Sequence, residues 1–345
     1  MMMSSVNGPV QLTAFGEFLM RLHSAGSQRF LQTQEYKVWY AGAEANTCVL
    51  LSRLGVTTRY ITRVPDNDLA LSGIQQLQGH GVATNHILYG GEKLGLYFSE
   101  PGNHIRGTRV IYDRAGSSYA ELQPGMIDWK KALHGTQYFH WSGVAAAVSQ
   151  SAADVCGEAL AVAKQNGLII SADFNYRSTL WKYGKKAASI MPALLQHSDI
   201  VVADLDSVAL YYGITTDTDA PLETRFKQCA EKLQKQIPGL KTLAMSFRKT
   251  EGPVHIYTGA LMHHGKYYFS AGCQLPFITD QIGSGDAFTG GMLYGIMNAY
   301  EPQSIIEFAT ACGALKQSIH GDWAIITKSE VEQFMQTGSS GRIIR

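Results

Sequence analysis

The segment Asp280-Gln-Ile-Gly-Ser-Gly-Asp-Ala-Phe-Thr-Gly-Gly291 joins glycines and a carboxylate to the start of a helical pattern carried on by Met292, Leu293, Ile296 and Met297. Gly283 and Gly285 allow backbone N–H groups to converge on one point, and the dipole of a helix beginning there adds partial positive charge, so this is an anion site. A carboxylate at Asp286 repels a resting phosphate. It can instead accept the proton of a hydroxyl attacking a phosphoryl group while the glycine amides stabilise the charge that develops. An aspartate in a first helical turn also serves as a simple cap, and the motif alone leaves both roles open.

Two other glycine-loop chemistries fail on spacing. A dinucleotide fingerprint needs a glycine where Phe288 stands, and a Walker loop is approached only by Gly259 to Gly265-Lys266-Tyr267, with the wrong spacing and last residue. Arg177, in Asp173-Phe-Asn-Tyr-Arg-Ser-Thr-Leu-Trp181, follows a predicted strand end, where doubly wound sheets bind ligands. Tyr112-Asp-Arg114 supplies a second arginine. Two guanidinium groups beside a tyrosine suit a carboxylate, whereas a surface ion pair is the plain account of either arginine. The eleven histidines are scattered, without a His-Glu-x-x-His zinc motif.

These residues need a scaffold, and the periodicity describes one. Strands are predicted at Tyr60–Val64, Gln137–Trp141, Leu168–Phe174, Asp199–Asp204 and Thr242–Phe247. Helices are predicted between them at Ala45–Leu54, Asp66–Gly79, Ser151–Lys164, Lys185–His197 and Glu223–Lys235, with Gly55 and Gly167 as stops. Beyond Ser270 the chain reads as one loop and two helices, Gly285–Ala299 and Gln303–His320. Segments Leu12–Tyr40 and Ile87–Tyr112 instead look strand-rich, with turns such as Ser24-Ala-Gly26 and Glu100-Pro-Gly-Asn103. The expectation is an α/β doubly wound sheet with a small second sheet serving as a lid.

The 345 residues are 45% hydrophobic and 17% charged, with 29 Lys+Arg against 28 Asp+Glu and a net charge of +1. That balance removes the electrostatic reason to expect nucleic acid or an anionic membrane as partner, and leaves small molecules. No apolar stretch approaches membrane-spanning length, Met1–Pro9 reads as a frayed end, and five widely spaced cysteines read as buried thiols in a reducing cytoplasm.

Gly-Ser-Gly-Asp-Ala-Phe288, taken with Ala41-Gly-Ala-Glu-Ala-Asn46, the Gly16-Glu17 opening and the Leu54-Gly55 helix end, resembles the ribokinase-like carbohydrate kinases of the phosphofructokinase-B type, from Phe15 to Ile326. The resemblance implies ATP-dependent phosphorylation of a sugar hydroxyl by a single domain, residues 1–345. Its ribokinase-like doubly wound sheet is flanked by helices and carries a β-lid from about 12–40 and 87–114. It implies Asp286 as catalytic base and the amides of Gly283, Ser284 and Gly285 as anion hole. With Tyr97, the two arginines are most similar to the 2-keto-3-deoxygluconate kinases, which phosphorylate the terminal hydroxyl of a six-carbon keto acid. Gly42, Asn46, Tyr97, Tyr112, Arg114 and Arg177 are then the implied substrate ligands, and Ser246, Arg248, Gly283 and Gly285 the implied nucleotide ligands, with ATP and Mg2+ as cofactors. A homodimer through the lid edge is the expected assembly.

Several positions depart from the family pattern. Tyr40-Ala41-Gly42 stands where two glycines are usual, so Ala41 tightens the floor of the sugar site. The usual Asn-x-x-Glu motif reads Asp204-Leu-Asp206-Ser207, leaving Asp204 and Asp206 as the metal candidates. Ser246-Phe-Arg-Lys-Thr-Glu-Gly252 lacks the usual glycines and is expected to be a solvated charged turn, with Arg248 and Lys249 the side chains placed to meet ATP phosphates. A kinase of the same fold for a neutral sugar such as fructose or ribose, or for a nucleoside, and a catalytically weak sugar-acid binding protein remain alternatives.

Overall fold

The computed structural model describes residues 10–102, 106–251 and 254–338. The end Met1–Pro9 and the turn residue Asn103 lie outside the described residues. The first half of the chain forms β1 (Leu12–Phe15), β2 (Leu19–Ser24), β3 (Tyr36–Ala41), α1 (Ala43–Arg53), β4 (Thr58–Ile61), β5 (Arg63–Val64), α2 (Asp68–Gly79), β6 (Leu88–Tyr89), β7 (Gly95–Glu100), β8 (Arg109–Asp113), α3 (Trp129–Ala132), β9 (Tyr138–Ser142), α4 (Gly143–Ala146) and α5 (Gln150–Gln165). The second half forms β10 (Ile169–Asp173), α6 (Ala187–Leu195), β11 (Ile200–Val202), α7 (Leu205–Tyr212), α8 (Leu222–Gln236), β12 (Thr242–Glu251), β13 (Val254–His263), β14 (Lys266–Phe269), β15 (Cys273–Leu275), α9 (Ser284–Met297), α10 (Pro302–Lys316) and α11 (Lys328–Thr337).

The main sheet runs β14-β13-β12-β11-β10-β9-β1-β4, with β15 added on β13. From β4 to β12 the neighbours are parallel, and β13 to β15 join antiparallel. Alternation along each strand sorts its side chains to opposite faces. Leu12, Ala14, Ile200, Val202 and Ala244 pack with α1, α2, α9 and α10 on one face, whereas Phe15, Val201, Leu243 and Met245 pack with α3 to α8 on the other. Both faces are therefore covered, as a parallel sheet requires. Each fully buried Leu, Val or Phe contributes about 1.5–3 kcal/mol relative to exposure. Local signals set the helix ends: Ser149 accepts from the Ala152 amide at 3.0 Å to start α5, and left-handed Gly55 and Gly167 follow α1 and α5.

The lid is a separate sheet, β3-β2-β7-β8. It is narrower in sequence than the expected 12–40 and 87–114. Leu12–Phe15 lies in the main sheet between β4 and β9 with its residues buried, and Leu88–Tyr89 pairs with Arg63–Val64 in a small sheet of its own. The single strand expected at Tyr60–Val64 is accordingly split at Thr62, whose carbonyl accepts from the Leu88 amide at 2.9 Å.

Three further expectations are corrected. Over 246–251 the charged turn does not form, since β12 continues to Glu251 and pairs along its length with β13; Gly252 lies outside the described residues. Beyond Ser270 the chain adds the three-residue β15 and the helix α11, which a Thr327–Glu330 capping box starts. The helix expected over Gln303–His320 ends at Lys316, after which the chain turns back toward Gly283. Cys48, Cys156, Cys229 and Cys312 are buried and Cys273 is partly exposed. No helix among the described residues is long and apolar enough to cross a membrane.

Candidate active site

A cavity of about 400 Å³ opens at the carboxyl ends of β10 and β11, beside Ser246 and Arg248 of β12, and is roofed by the lid through Leu19, Tyr97, Val110 and Tyr112. This is the end of an open parallel sheet where ligands bind. Gly42, Asn46, Arg114, Arg177, Asp204, Ser246, Arg248, Gly283, Ser284, Gly285 and Asp286 also line it. Apart from Asp206 and Lys249, which do not line it, the sequence-predicted positions meet in this one space.

Helix α9 supplies the centre. Gly283 is its N-cap with φ 85°, and a Cβ there would overlap the Asp322 carbonyl, so both backbone conformation and space demand glycine. The Ser284 amide donates to the Gln281 carbonyl at 3.3 Å, whereas the amides of Gly283, Gly285 and Asp286 have no hydrogen-bond partner among the described residues. These are the open donors of a helix N-terminus, and Ser284 contributes less to them than the sequence suggested.

Asp286 is held from another helix. Asn46 Nδ2, in the first turns of α1, donates to Asp286 Oδ2 at 2.6 Å. Helix α1 starts at Gly42, where a Cβ would come within 2.6 Å of the Glu17 carbonyl oxygen, so the floor of the site is closed at atomic contact. Burial pushes the Asp286 carboxyl up to about 6, with the Asn46 amide and the Arg177 guanidinium pulling it down. A carboxylate in that range is ionised at neutral pH and basic enough to take a hydroxyl proton. Asp173, given no role from the sequence, lines the same cavity and accepts from Thr289 Oγ1 of α9 at 3.3 Å. Burial first, and the neighbouring Asp286 next, push the Asp173 carboxyl upward.

The substrate-side residues are less free than the sequence implied. Arg114 Nε donates to Glu17 Oε2 at 2.5 Å in a buried ion pair, and Ser117 Oγ donates to Glu17 Oε1 at 2.5 Å. Only the terminal amino groups of Arg114 thus remain for a ligand. The Tyr97 hydroxyl donates to Asp322, leaving its ring to form the wall, with the Tyr112 ring 6.1 Å away. Arg177 is exposed at the rim after a tight turn in which the Asn175 amide donates to Asp173 Oδ1 at 3.0 Å and Asn175 itself has φ 37°. Glu44, also given no role from the sequence, is buried against Gly16, takes a 2.5 Å hydrogen bond from Ser142 Oγ, and is pushed by burial up to about 7.

Arg248, expected from the sequence to meet the nucleotide, is a strand residue. Its guanidinium donates to Gln281 Oε1 at 2.7 Å and to Gln317 Oε1 at 2.8 Å, beside the glycine turn. The metal candidates separate. Asp204 lines the cavity while capping α7, accepting from the Ser207 amide at 2.8 Å, but Asp206 is exposed in the first turn of α7 and does not line it. Asp206 is therefore withdrawn as a candidate, because helical geometry turns it away from its neighbour.

The family model described as pfkB family carbohydrate kinase matches residues 11–324. The chain belongs to the pfkB family of carbohydrate kinases. Among pfkB relatives, it is 29% identical over 337 residues to a 2-dehydro-3-deoxygalactonokinase of Haloferax volcanii, covering 96% of this chain and 98% of that one. It is 24% identical to a 5-dehydro-2-deoxygluconokinase of Geobacillus kaustophilus, covering 98% and 97%. The crystal structure of 2-dehydro-3-deoxygluconokinase from Thermotoga maritima superposes with a TM-score of 0.89 at 30% identity, over 95% of this chain and 99% of that one. The ribokinase-like sheet and its lid, expected from the sequence, are thus the pfkB fold.

Proposed function

We propose that this pfkB kinase transfers the γ-phosphoryl group of ATP to the terminal hydroxyl of 2-keto-3-deoxygluconate or a closely similar sugar acid. The observation that carries the proposal is the Asp286 carboxylate, fixed by Asn46 at 2.6 Å beside three unpartnered amides in a cavity rimmed by Arg177. The substrate oxygen attacks the γ-phosphorus as its proton passes to Asp286, the bond to the bridging oxygen breaks, and ADP leaves. The amides of Gly283 and Gly285 face the charge on the transferring group, and Arg248 lies next to them. Asp173 and Asp204 supply hard oxygens on the same wall, which suits Mg2+ held mainly by phosphates and water; bound there, the ion offsets phosphate charge. Arg177 and the terminal amino groups of Arg114 grip the acid's carboxylate. The names of the relatives, all kinases of dehydro-deoxy sugar acids, support this choice.

One observation favours a second reading, a kinase for a neutral sugar: Glu17 already neutralises Arg114. The deciding experiment is ATP-dependent ADP release with 2-keto-3-deoxygluconate, fructose, ribose and gluconate, beside Asp286→Asn. Selective turnover of the keto acid, lowered by orders of magnitude in Asp286→Asn with little change in sugar affinity, is expected. Turnover of fructose or ribose alone overturns the substrate assignment, equal turnover by Asp286→Asn removes the base, and saturable sugar-acid binding without turnover makes the protein a binding module.

The assembly we propose is a homodimer through the lid, and the compartment is the cytoplasm, where ATP is available and the five thiols stay reduced.

A further inference from the structure

Two cations among the described residues are wholly buried, Arg21 and Lys316. Arg21 is matched by the carboxylates of Asp280 and Asp322 at 2.8 and 3.0 Å. Lys316 is bonded differently. It ends α10, and its Nζ donates to two main-chain carbonyls, those of Asp280 and Ile319, each at 3.1 Å. A buried ammonium on neutral acceptors is costly to desolvate, so its place calls for a physical account.

The two carbonyls belong to the stretches of chain that shape the anion site. Asp280 opens the turn 280–283, and its carboxylate accepts from the amides of Ile282 at 3.1 Å and of Gly321 at 3.2 Å. Ile319 opens the segment that carries Asp322, whose carbonyl fills the space a Cβ would need at Gly283. Lys316 thus ties both walls of the Gly283 turn to the end of one helix.

We propose that Lys316 is a positioning residue for phosphoryl transfer: its ammonium fixes the 280–283 and 319–322 segments so that the Gly283 and Gly285 amides are aimed at the transferring group. The proposal rests on the kinase chemistry given above. It requires that loss of the ammonium misplace the amides while leaving the sugar pocket intact, since Lys316 does not line the cavity. Misplacement of about 1 Å lowers catalysis by roughly 10²-fold.

The test uses the full chain with Lys316→Ala and Lys316→Met, turning over 2-keto-3-deoxygluconate. It measures kcat, the KM for that keto acid and the thermal melt, with and without ammonium or methylammonium chloride. Both variants are expected to lose kcat by about 10²-fold with the sugar KM within about threefold. Ammonium or methylammonium is expected to restore kcat saturably in Lys316→Ala, where the amine finds a space lined by carbonyls, and not in Lys316→Met, where the side chain fills it. Should Lys316→Ala not fold, Lys316→Met carries the kcat and KM comparison by itself. A folded variant with kcat within twofold of the wild type overturns the proposal, as does a folded Lys316→Ala whose loss neither amine repairs. A wild-type protein that turns over no sugar or sugar acid overturns the kinase chemistry, and the positioning role with it.

Discussion

Asp286 and Glu17 are both carboxylates of this site, Asp286 partly buried and Glu17 almost wholly so, and their partners give them opposite tasks. Asp286 faces a neutral amide and open cavity, so it can exchange a proton. Because its pKa is pushed up to about 6, kcat/KM should fall as pH drops through about 6, where the base becomes protonated, and stay level just above; the pH profile checks this. Glu17 is sealed against Arg114 with both side chains almost inaccessible. Arg114→Ala should therefore lower stability by about 3–5 kcal/mol, read in a denaturant melt, because it strands a buried carboxylate. Arg177→Ala, at an exposed rim, should leave the melt unchanged and raise the KM for the sugar acid most. If the two variants exchange these signatures, the division of labour between the arginines is wrong.

At the scale of elements, the site is the meeting of two helix N-termini, α1 and α9, at the open end of a parallel sheet. Neither helix start has a side-chain cap; each begins at a glycine, which leaves its amides for a ligand. The two glycines of the α9 turn differ in what they tolerate. At Gly283 an alanine collides with the Asp322 carbonyl and adopts a left-handed φ, whereas at Gly285 nothing lies within 4 Å of an added Cβ. Gly283→Ala should cost roughly 10²-fold in kcat by moving the amides, while Gly285→Ala should melt like the wild type. Equal behaviour of the two in activity and melting assays would contradict this account of the turn.

For the whole molecule, the lid presents two unlike faces. Arg21 and Tyr97 point toward the cavity side and are buried, and the alternate row Val38, Leu22, Phe98 and Ile111 runs across all four strands on the other face, with Val38 and Ile111 each 50% exposed. Such a row is apolar surface of the kind that joins copies of a chain. Wild-type protein should elute and scatter as a dimer, and Val38→Asp with Ile111→Asp should shift it to monomer with the fold retained. A monomeric wild type at micromolar concentration would remove the lid contact from the assembly.

The α/β alternation, the helix stops at Gly55 and Gly167, and the glycine turn with Asp286 were all legible in the linear chain, because period, backbone freedom and a helix start are local properties written within a few residues. Family resemblance also placed Asn46 and Asp286, at opposite ends of the chain, in one site. Which short strands joined which sheet emerged only on folding, since Leu12–Phe15 and Leu88–Tyr89 carry no mark of their partners. Likewise Asp322 and Lys316 stand in unremarkable stretches, and Glu17 and Asp173 stand in motifs that do not show their partners; the roles of all four come from burial and from the charges that folding places against them. A buried charge acquires its meaning from its neighbours, which a linear pattern does not contain.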